Sequence, residues 1–239
     1  RGNDKKKRNL FEINEHSEKI FNKAGSSVAV LPQPELGNLA HALIADVSLR
    51  LPSGDRPWAD EDLQTWLRAA LANQGRHQED PVAGQALALA RGTLQGAVGE
   101  MIRQAEWVSF EHPIAYHARQ DIFVEGQADL VVQGPREIGV IDFKSSHGAV
   151  TSQATFVQLC GYARAFVGDE KRGSPRSVAR TLEGKEQRPV WMAAARLGGS
   201  QPLVRRPYDD EAEAVFQQAV HLAFEQIQAR VTSEEVEVQ

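Results

Sequence analysis

The sequence predicts an α/β fold, with a small mixed β-sheet flanked by helices and a helical region ahead of the sheet. Before residue 108 the apolar residues recur at helical spacing. Between residues 108 and 144 they form short β-branched runs bounded by glycine, which are typical of strands. A helical pattern, a continuous apolar run and a second helical pattern follow. This order predicts a sheet covered by helices.

The bulk composition is that of one domain, or of one domain with an accessory helical part. A chain of 239 residues, 41% of them hydrophobic, can bury a core. Its apolar runs fall short of a membrane span and no signal-peptide pattern follows Arg1. We therefore expect a cytoplasmic (intracellular) protein with no membrane partner. Because the chain begins with Arg1 and not with Met, we expect a processed, engineered or excised piece.

Cysteine content and net charge exclude some classes of protein. Cys160 is the only cysteine, which excludes a disulfide within the chain and a cysteine-ligated iron–sulfur cluster. The net charge of −5 argues against a protein that passively coats nucleic acid. It argues less against an enzyme with an acidic metal site.

The chain divides by composition into three parts. We expect residues 1–30 to be a polar lead-in or linker. Residues 31–232 are expected to form one domain, in which 31–106 are helical and 107–232 form the α/β core, and residues 233–239 an acidic tail. The basic cluster at 5–8 has two open interpretations, a DNA-contacting arm or localisation signal and a solvated tail.

Three helices are predicted ahead of the sheet, over residues 36–51, 60–73 and 81–107. His41 lies in the first, and a lone histidine on a helix is usually structural. Asp60 is expected to cap the second helix. The glycines of the third weaken it and predict a break near Gly92.

Residues 126–144, GQADLVVQGPREIGVIDFK, are the stretch around which the chain is organised. They predict two strands joined by a turn at 133–135, and we expect a further hairpin turn at Gly126. Alternation along a strand places Asp142 and Lys144 on one face, with Asp129 entering from the neighbouring strand. Because buried carboxylates are costly unless a cation neutralises them, these residues predict a site for a divalent metal and a polarised water. Hard oxygen ligands favour Mg²⁺ or Mn²⁺.

The rest of the chain completes the sheet and its helical cover. Residues 152–167 are predicted to be a helix, on which Gln158 and Tyr162 are four apart and share a face. Residues 168–189 are expected to form a long loop, 190–197 a buried strand, and 209–231 an amphipathic helix.

The ordered motifs resemble the PD-(D/E)xK nucleases, and within them the RecB-like branch, which includes AddA-type and Cas4-type nucleases. The resemblance rests on GQADLVV…GVIDFKSS and on the Q-x-x-x-Y of the following helix, and covers roughly residues 35–197. It implies a restriction-endonuclease-like core. With one cysteine, the chain departs from the Cas4-type pattern and its iron–sulfur cluster.

The resemblance also implies roles for particular residues. Gly37 and His41 match a helical G-x-x-x-H whose histidine binds metal. The implied metal ligands are His41, Asp129, Asp142 and the backbone carbonyl of Phe143, and the implied catalytic residues are Asp129, Asp142 and Lys144.

Three further residues are implied to bind or orient the substrate. Gln158 and Tyr162 flank the site and contact the substrate backbone or orient Lys144; the alternative is two half-buried polar residues. Glu111, in a segment similar to the family's E-x-P, binds metal through water, holds Lys144, or forms a salt bridge at the strand edge.

The implied function is hydrolysis of DNA phosphodiester bonds with Mg²⁺ or Mn²⁺ as cofactor. The expected substrate is single-stranded DNA or duplex ends. The enzyme is expected to be an exonuclease, or the nuclease module of a helicase–nuclease system of DNA repair, recombination or defence, with a helicase domain or subunit as partner. The alternative is a non-catalytic DNA-binding or assembly module that retains the fold. Loss of an acid or of the lysine would indicate that alternative, and both acids and the lysine are present.

Overall fold

The computed structural model describes residues 33–54, 56–77, 79–119, 122–145, 147–167, 188–199 and 203–237. The helices are α1 Gln33–Ser48, α2 Asp60–Asn73, α3 Pro81–Gln95, α4 Ala97–Gln104, α5 His147–Val150, α6 Gln153–Arg164 and α7 Asp210–Glu237. The strands are β1 Trp107–Arg119, β2 Ile122–Gln133, β3 Ile138–Lys144, β4 Val190–Arg196 and β5 Arg206–Pro207. The expectations for residues 1–30, and for nearly all of the predicted loop, lie outside the described residues.

The five strands form one mixed sheet in the order β1-β2-β3-β4-β5. β1, β2 and β3 are joined antiparallel, β4 lies parallel to β3, and β5 is antiparallel to β4. The parallel step needs a crossover, which α5 and α6 provide. The predicted α/β fold with a small mixed sheet is therefore confirmed.

Helices cover both faces of the sheet and give it two apolar cores. On one face α1 to α4 pack with alternate residues of the central strands, among them Leu130, Ile141 and Phe143. On the other face α6 and α7 pack against Val131, Val140 and Met192. Because β3 is buried on both faces, six of its seven residues are buried, and its run is apolar throughout except for Asp142 and Lys144.

Several predicted local features differ in the structure. Asp60 begins α2 but does not cap it; the N-cap is Ala59, and Asp60 pairs with Arg91. The third predicted helix breaks at Gly96, between α3 and α4, and not at Gly92. Gly92 instead lies against the backbone of Gly198, whose carbonyl oxygen would be 3.0 Å from a Cβ at this position.

The hairpin turn expected at Gly126 is also wrong. Gly126 pairs with Ile114 in the middle of the β1–β2 ladder, and the chain reverses between Arg119 and Ile122. β1 and β2 are therefore a long hairpin whose distal half extends beyond the region paired with β3. None of the described helices combines the length and the apolar character needed to cross a bilayer.

Candidate metal centre

Three side chains of types that bind metals, from three elements, meet beside the start of the β2–β3 ladder. One ligand atom from each of His41 on α1, Glu111 on β1 and Asp129 on β2 lies within 4.8 Å of the other two. His41 Nδ1 is 3.8 Å from Asp129 Oδ1, and their side chains are 19% and 16% exposed. Glu111 is exposed, so the group is half-buried and open to water on its Glu111 side.

Glu111 has a backbone conformation that orients this corner of the sheet. Its φ is +48°, a left-handed value that L-residues with side chains rarely adopt and that costs about 1–2 kcal/mol. Phe110 packs with the α1–α4 core, whereas Ile114 packs with the α6–α7 core, although strict alternation would place both on one face. The strand residues that face each core therefore change parity at Glu111, and the backbone strain lies at the candidate site.

Asp142 and Lys144 share one face of β3, as alternation predicts. Lys144 Nζ is 2.7 Å from Asp142 Oδ2, and the Asp142 side chain is only 3% exposed. Asp142 is not a member of the His41, Glu111 and Asp129 group, although its charge raises the pKa of His41 and the charge of Asp129 raises its own pKa. The ammonium of Lys144 is therefore its nearest described cation.

A chain of hydrogen bonds continues from Lys144 onto α6. Lys144 Nζ donates to Gln158 Oε1 at 3.2 Å, and Gln158 Nε2 donates to the hydroxyl of Tyr162 at 2.9 Å. The Tyr162 ring lies over β2 at Gly126, where a Cβ would be 2.8 Å from Tyr162 Cε1. Because Gly126 has no side chain, the Tyr162 ring, which ends this series of hydrogen bonds, has room to pack there.

Burial is the largest influence on the pKa values of these side chains. Burial raises the pKa of Asp142 to about 6; Asp129 raises it further, whereas Lys144 opposes the shift. Burial also raises the pKa of Asp129 and Glu111, and the charge of Asp129 adds to the effect on Glu111. Burial lowers the pKa of His41, so its imidazole is neutral at pH 7 and able to bind metal.

This donor set fits a small divalent cation. Two carboxylates and an imidazole are ligands that Mn²⁺ accepts readily and Mg²⁺ tolerates. The three ligand atoms lie within 4.8 Å of one another, so one small cation would contact them directly or through a water.

The structure brings the predicted site side chains together in two groups, and the Phe143 carbonyl belongs to neither of them. His41, Asp129 and Glu111 form one group, and Asp142, Lys144, Gln158 and Tyr162 form a connected second group. Phe143 turns its ring to the other face of the sheet, where it packs at 5.3 Å from the His41 ring. The proposed metal-binding role of its carbonyl stays a prediction.

Sequence reasoning missed the structural role of Gly126. The available signal was a glycine inside a strand pattern, which often marks the close approach of another group. The sequence places Glu111 among the substrate-binding or orienting residues, with metal binding through water as one alternative. In the structure one of its carboxylate oxygens lies close to His41 and Asp129 in the candidate metal centre.

The comparison with protein families gives the class of protein that this fold and site define. Residues 15–237 match the family described as the PD-(D/E)XK nuclease superfamily. The chain therefore belongs to the PD-(D/E)XK nuclease superfamily. No protein of curated function matches the sequence.

Solved structures resemble the chain distantly. One is the crystal structure named "Putative exonuclease" from Eubacterium rectale, which is 12% identical in sequence with a TM-score of 0.40. The alignment covers 83% of this chain and 69% of that chain.

Proposed function

We propose that the protein is a metal-dependent deoxyribonuclease of the RecB-like branch. It hydrolyses single-stranded DNA or duplex ends, as an exonuclease or as the nuclease module of a helicase–nuclease system. The observation that carries this proposal is the joint arrangement at one end of the sheet. The His41, Glu111 and Asp129 group lies beside the Asp142–Lys144 pair, and Lys144 in turn contacts Gln158.

Mg²⁺ or Mn²⁺ would be held by His41 and Asp129, with Glu111 as a direct or water-mediated ligand and with Asp142 and the Phe143 carbonyl completing the set. When bound, the ion supplies Lewis acidity, which lowers the pKa of a water and offsets the charge of the phosphate. Asp129 is well suited to its role because the backbone N–H of Phe143 holds one of its oxygens and leaves the other toward His41.

In this proposal Lys144 does not bind the metal but acts on the attacking water and on the phosphate. Its ammonium is held between Asp142 Oδ2 and Gln158 Oε1, at 2.7 and 3.2 Å. From there it orients the attacking water and stabilises the charge that develops on the phosphate oxygens. Gln158 and Tyr162 act on the substrate through Lys144, because they fix the direction of its amine.

The reaction proposed is a direct hydrolysis. Water attacks phosphorus in line, the P–O3′ bond breaks, and the 3′ oxygen leaves with a proton as a hydroxyl. The products are a 5′-phosphate and a 3′-hydroxyl, and no covalent intermediate with the protein forms. A helicase domain or subunit that delivers the strand is the proposed partner.

A panel of nucleic acid substrates tests this function. Open-ended, end-blocked, single-stranded and double-stranded DNAs, and RNAs of the same sequence, are incubated with Mg²⁺, Mn²⁺ or a chelator. We expect metal-dependent cleavage of open DNA, absence of cleavage with chelator, and loss of cleavage in Asp129→Asn. Cleavage of end-blocked DNA would replace the exonuclease assignment by an endonuclease. A protein that binds DNA but cleaves none of these substrates would be the non-catalytic module.

A further inference from the structure

A groove of about 680 Å³ runs along β4 on the side away from β3. The N-terminal end of α6 forms one wall, with Ser152, Gln153 and Phe156. Arg196 at the end of β4 and Arg206 on β5 also line it, and Ala194 is part of its floor. The small side chains of the three successive alanines at 193–195 help to keep this space open.

The groove is positively charged in an acidic protein. Its described lining includes two arginines and no aspartate or glutamate, whereas the whole chain has a net charge of −5. The amino-terminal end of α6 adds the positive end of a helix dipole to the same wall. An anionic occupant is therefore favoured, since acidic residues elsewhere repel it and this surface attracts it.

Arg196 lies directly beside the proposed catalytic lysine. Lys144 and Arg196 are Cα partners in the parallel β3–β4 ladder, which places their backbones about 4.8 Å apart. The N–H of Leu197 donates to the carbonyl of Lys144 at 3.0 Å and fixes this register beyond the last strand residue. Met192 and Ala194 pack with the α6–α7 core, so alternation places Arg196 on the same face of the sheet as Lys144.

The two groove arginines differ in their partners from several other arginines of the structure. Arg50, Arg91 and Arg205 each pair with a carboxylate. Within the described part of the chain, no carboxylate lies at ion-pair distance from Arg196 or Arg206. The guanidinium of Arg206 lies 5.0 Å above the Phe156 ring, which leaves its hydrogen-bond donors for another group.

We propose that this groove binds the sugar–phosphate backbone of the substrate strand next to the scissile phosphate. Arg196 contacts the phosphate nearest the metal centre, and Arg206 contacts one farther along. Arg206 pairs with Met192, four residues before Arg196, so the two backbones are separated by about 13 Å, the span of a few nucleotides. The inference rests on the proposed function, because it locates the substrate of that same site.

Salt-dependent binding tests the groove without cleavage. In an Asp129→Asn background, Arg196→Gln and Arg206→Gln are compared with the parent by fluorescence anisotropy on a labelled single-stranded oligonucleotide. We expect each substitution to weaken binding about threefold to tenfold and to reduce the salt slope of log K by about 0.7, the value for one lost phosphate contact on a single strand. Arg196→Lys retains the charge and should retain most of the slope. Arg68→Gln on α2, which changes an exposed arginine outside the groove lining, is the control and should change neither quantity.

Cleavage kinetics in the otherwise wild-type protein separate the groove from the catalytic site. Arg196→Gln and Arg206→Gln should raise KM and leave the Mn²⁺ affinity unchanged. Unchanged DNA affinity and salt slope in both variants, in a protein that cleaves DNA, would overturn the groove and leave the nuclease function intact. A protein that cleaves nothing, but whose two variants lose affinity as expected, would retain the groove and lose the nuclease function. A protein that neither cleaves nor binds the oligonucleotide would lose both.

Discussion

The carboxylate of Asp129 accepts a hydrogen bond from the backbone N–H of Phe143, with 2.6 Å between Oδ2 and the nitrogen. The β2–β3 ladder pairs Leu130 with Ile141 and stops before Asp129. The side chain of Asp129 therefore takes the place of the carbonyl that would continue the ladder. Because Oδ2 is held by β3, Oδ1 is left 3.8 Å from His41 Nδ1. One residue thus ends the sheet pairing and presents an oxygen to the candidate metal centre.

Substitutions at Asp129 should separate these two roles. The side-chain oxygen of Asn can keep the bond to Phe143 but carries no charge, so Asp129→Asn should lose Mn²⁺ binding and cleavage while the free energy of unfolding changes little. Asp129→Ala leaves the N–H of Phe143 unpaired and should cost a further ~1–3 kcal/mol. Calorimetric Mn²⁺ titration and urea unfolding with chelator measure the two effects. Ordinary Mn²⁺ affinity in the Asn variant would remove Asp129 from the metal centre.

Glu111 gives a second test of the metal centre, with a matched control on the same hairpin. Glu111→Gln should weaken Mn²⁺ binding about 10- to 100-fold, the range found when a residue supporting a metal site is lost. Glu125→Gln removes an exposed carboxylate from β2 and should leave the affinity unchanged. Equal affinities in wild type and Glu111→Gln would return Glu111 to a role at the strand edge.

Asp142 should make the metal-free protein less stable as the pH rises. Its folded pKa of about 6 is above its ordinary value of 3.8, so the folded state binds this proton more tightly than the unfolded state. The resulting stability is fully present below about pH 4 and is lost as the pH rises through about 6, to a total of up to about 3 kcal/mol. Asp129 and Glu111 shift in the same direction, so the difference between wild type and Asp142→Asn isolates this carboxyl.

We expect Asp142→Asn to be more stable than wild type at neutral pH with chelator, by about 1–3 kcal/mol, and the difference to vanish near pH 4. Urea unfolding at both pH values measures it. A variant that is less stable than wild type at neutral pH would mean that the ion pair with Lys144 outweighs the burial of the charge. Saturating Mn²⁺ should reverse the order in favour of wild type, because a ligand that binds only the folded state stabilises it.

Much of the fold was predictable because its elements have strong local patterns. The bounds of α2 are as predicted, and β3 was predictable because a continuous apolar run interrupted only by Asp142 and Lys144 has few other interpretations. The alternation of side chains along a strand also predicted that these two side chains share a face.

Features that depend on distant contacts were not predictable. Gly126 precedes a strand run and has the local signature of a turn, but the reason for the glycine is the Tyr162 ring, which comes from an element 36 residues away in the chain. The face reversal at Glu111 depends on a positive φ, which no neighbouring residue type indicates. For the candidate site, the sequence predicted that Asp142 and Lys144 share a face, whereas for Glu111 it left metal binding through water as one of several alternatives, and only the fold brings Glu111 together with His41 and Asp129.

Gly126→Ala should impair cleavage through Tyr162. The added Cβ would lie 2.8 Å from Tyr162 Cε1, so the ring must move and its hydroxyl must leave Gln158. We expect a fall in kcat of about tenfold or more with unchanged Mn²⁺ affinity, a loss that Tyr162→Phe should match. Gly134→Ala, where the nearest atom would be 3.8 Å away, is the control and should cleave normally. Normal cleavage by Gly126→Ala would show that the position of the Tyr162 ring is irrelevant to the reaction.

Lys144 gives the most direct test of the proposed chemistry. Lys144→Met keeps the length of the side chain and removes its charge. Because a protonated amine is not a ligand and its proposed action is on the water and on the charge that develops in the transition state, the substitution should lower kcat by about 10²- to 10⁴-fold. DNA affinity should change little. Mn²⁺ affinity should be retained or slightly raised, since a nearby positive charge is lost.

Asp142→Ala is the matched comparison for Lys144→Met. If Asp142 is a ligand as well as the ion-pair partner of Lys144, its removal should weaken Mn²⁺ binding as well as cleavage. Mn²⁺ titration, DNA gel shift and a nuclease assay on wild type and both variants give the required contrast. Cleavage by Lys144→Met at nearly the wild-type rate would make Lys144 a structural residue of β3, and the proposed function would lose its strongest single support. Normal Mn²⁺ binding by Asp142→Ala would instead leave His41, Glu111 and Asp129 as the complete set of side-chain ligands.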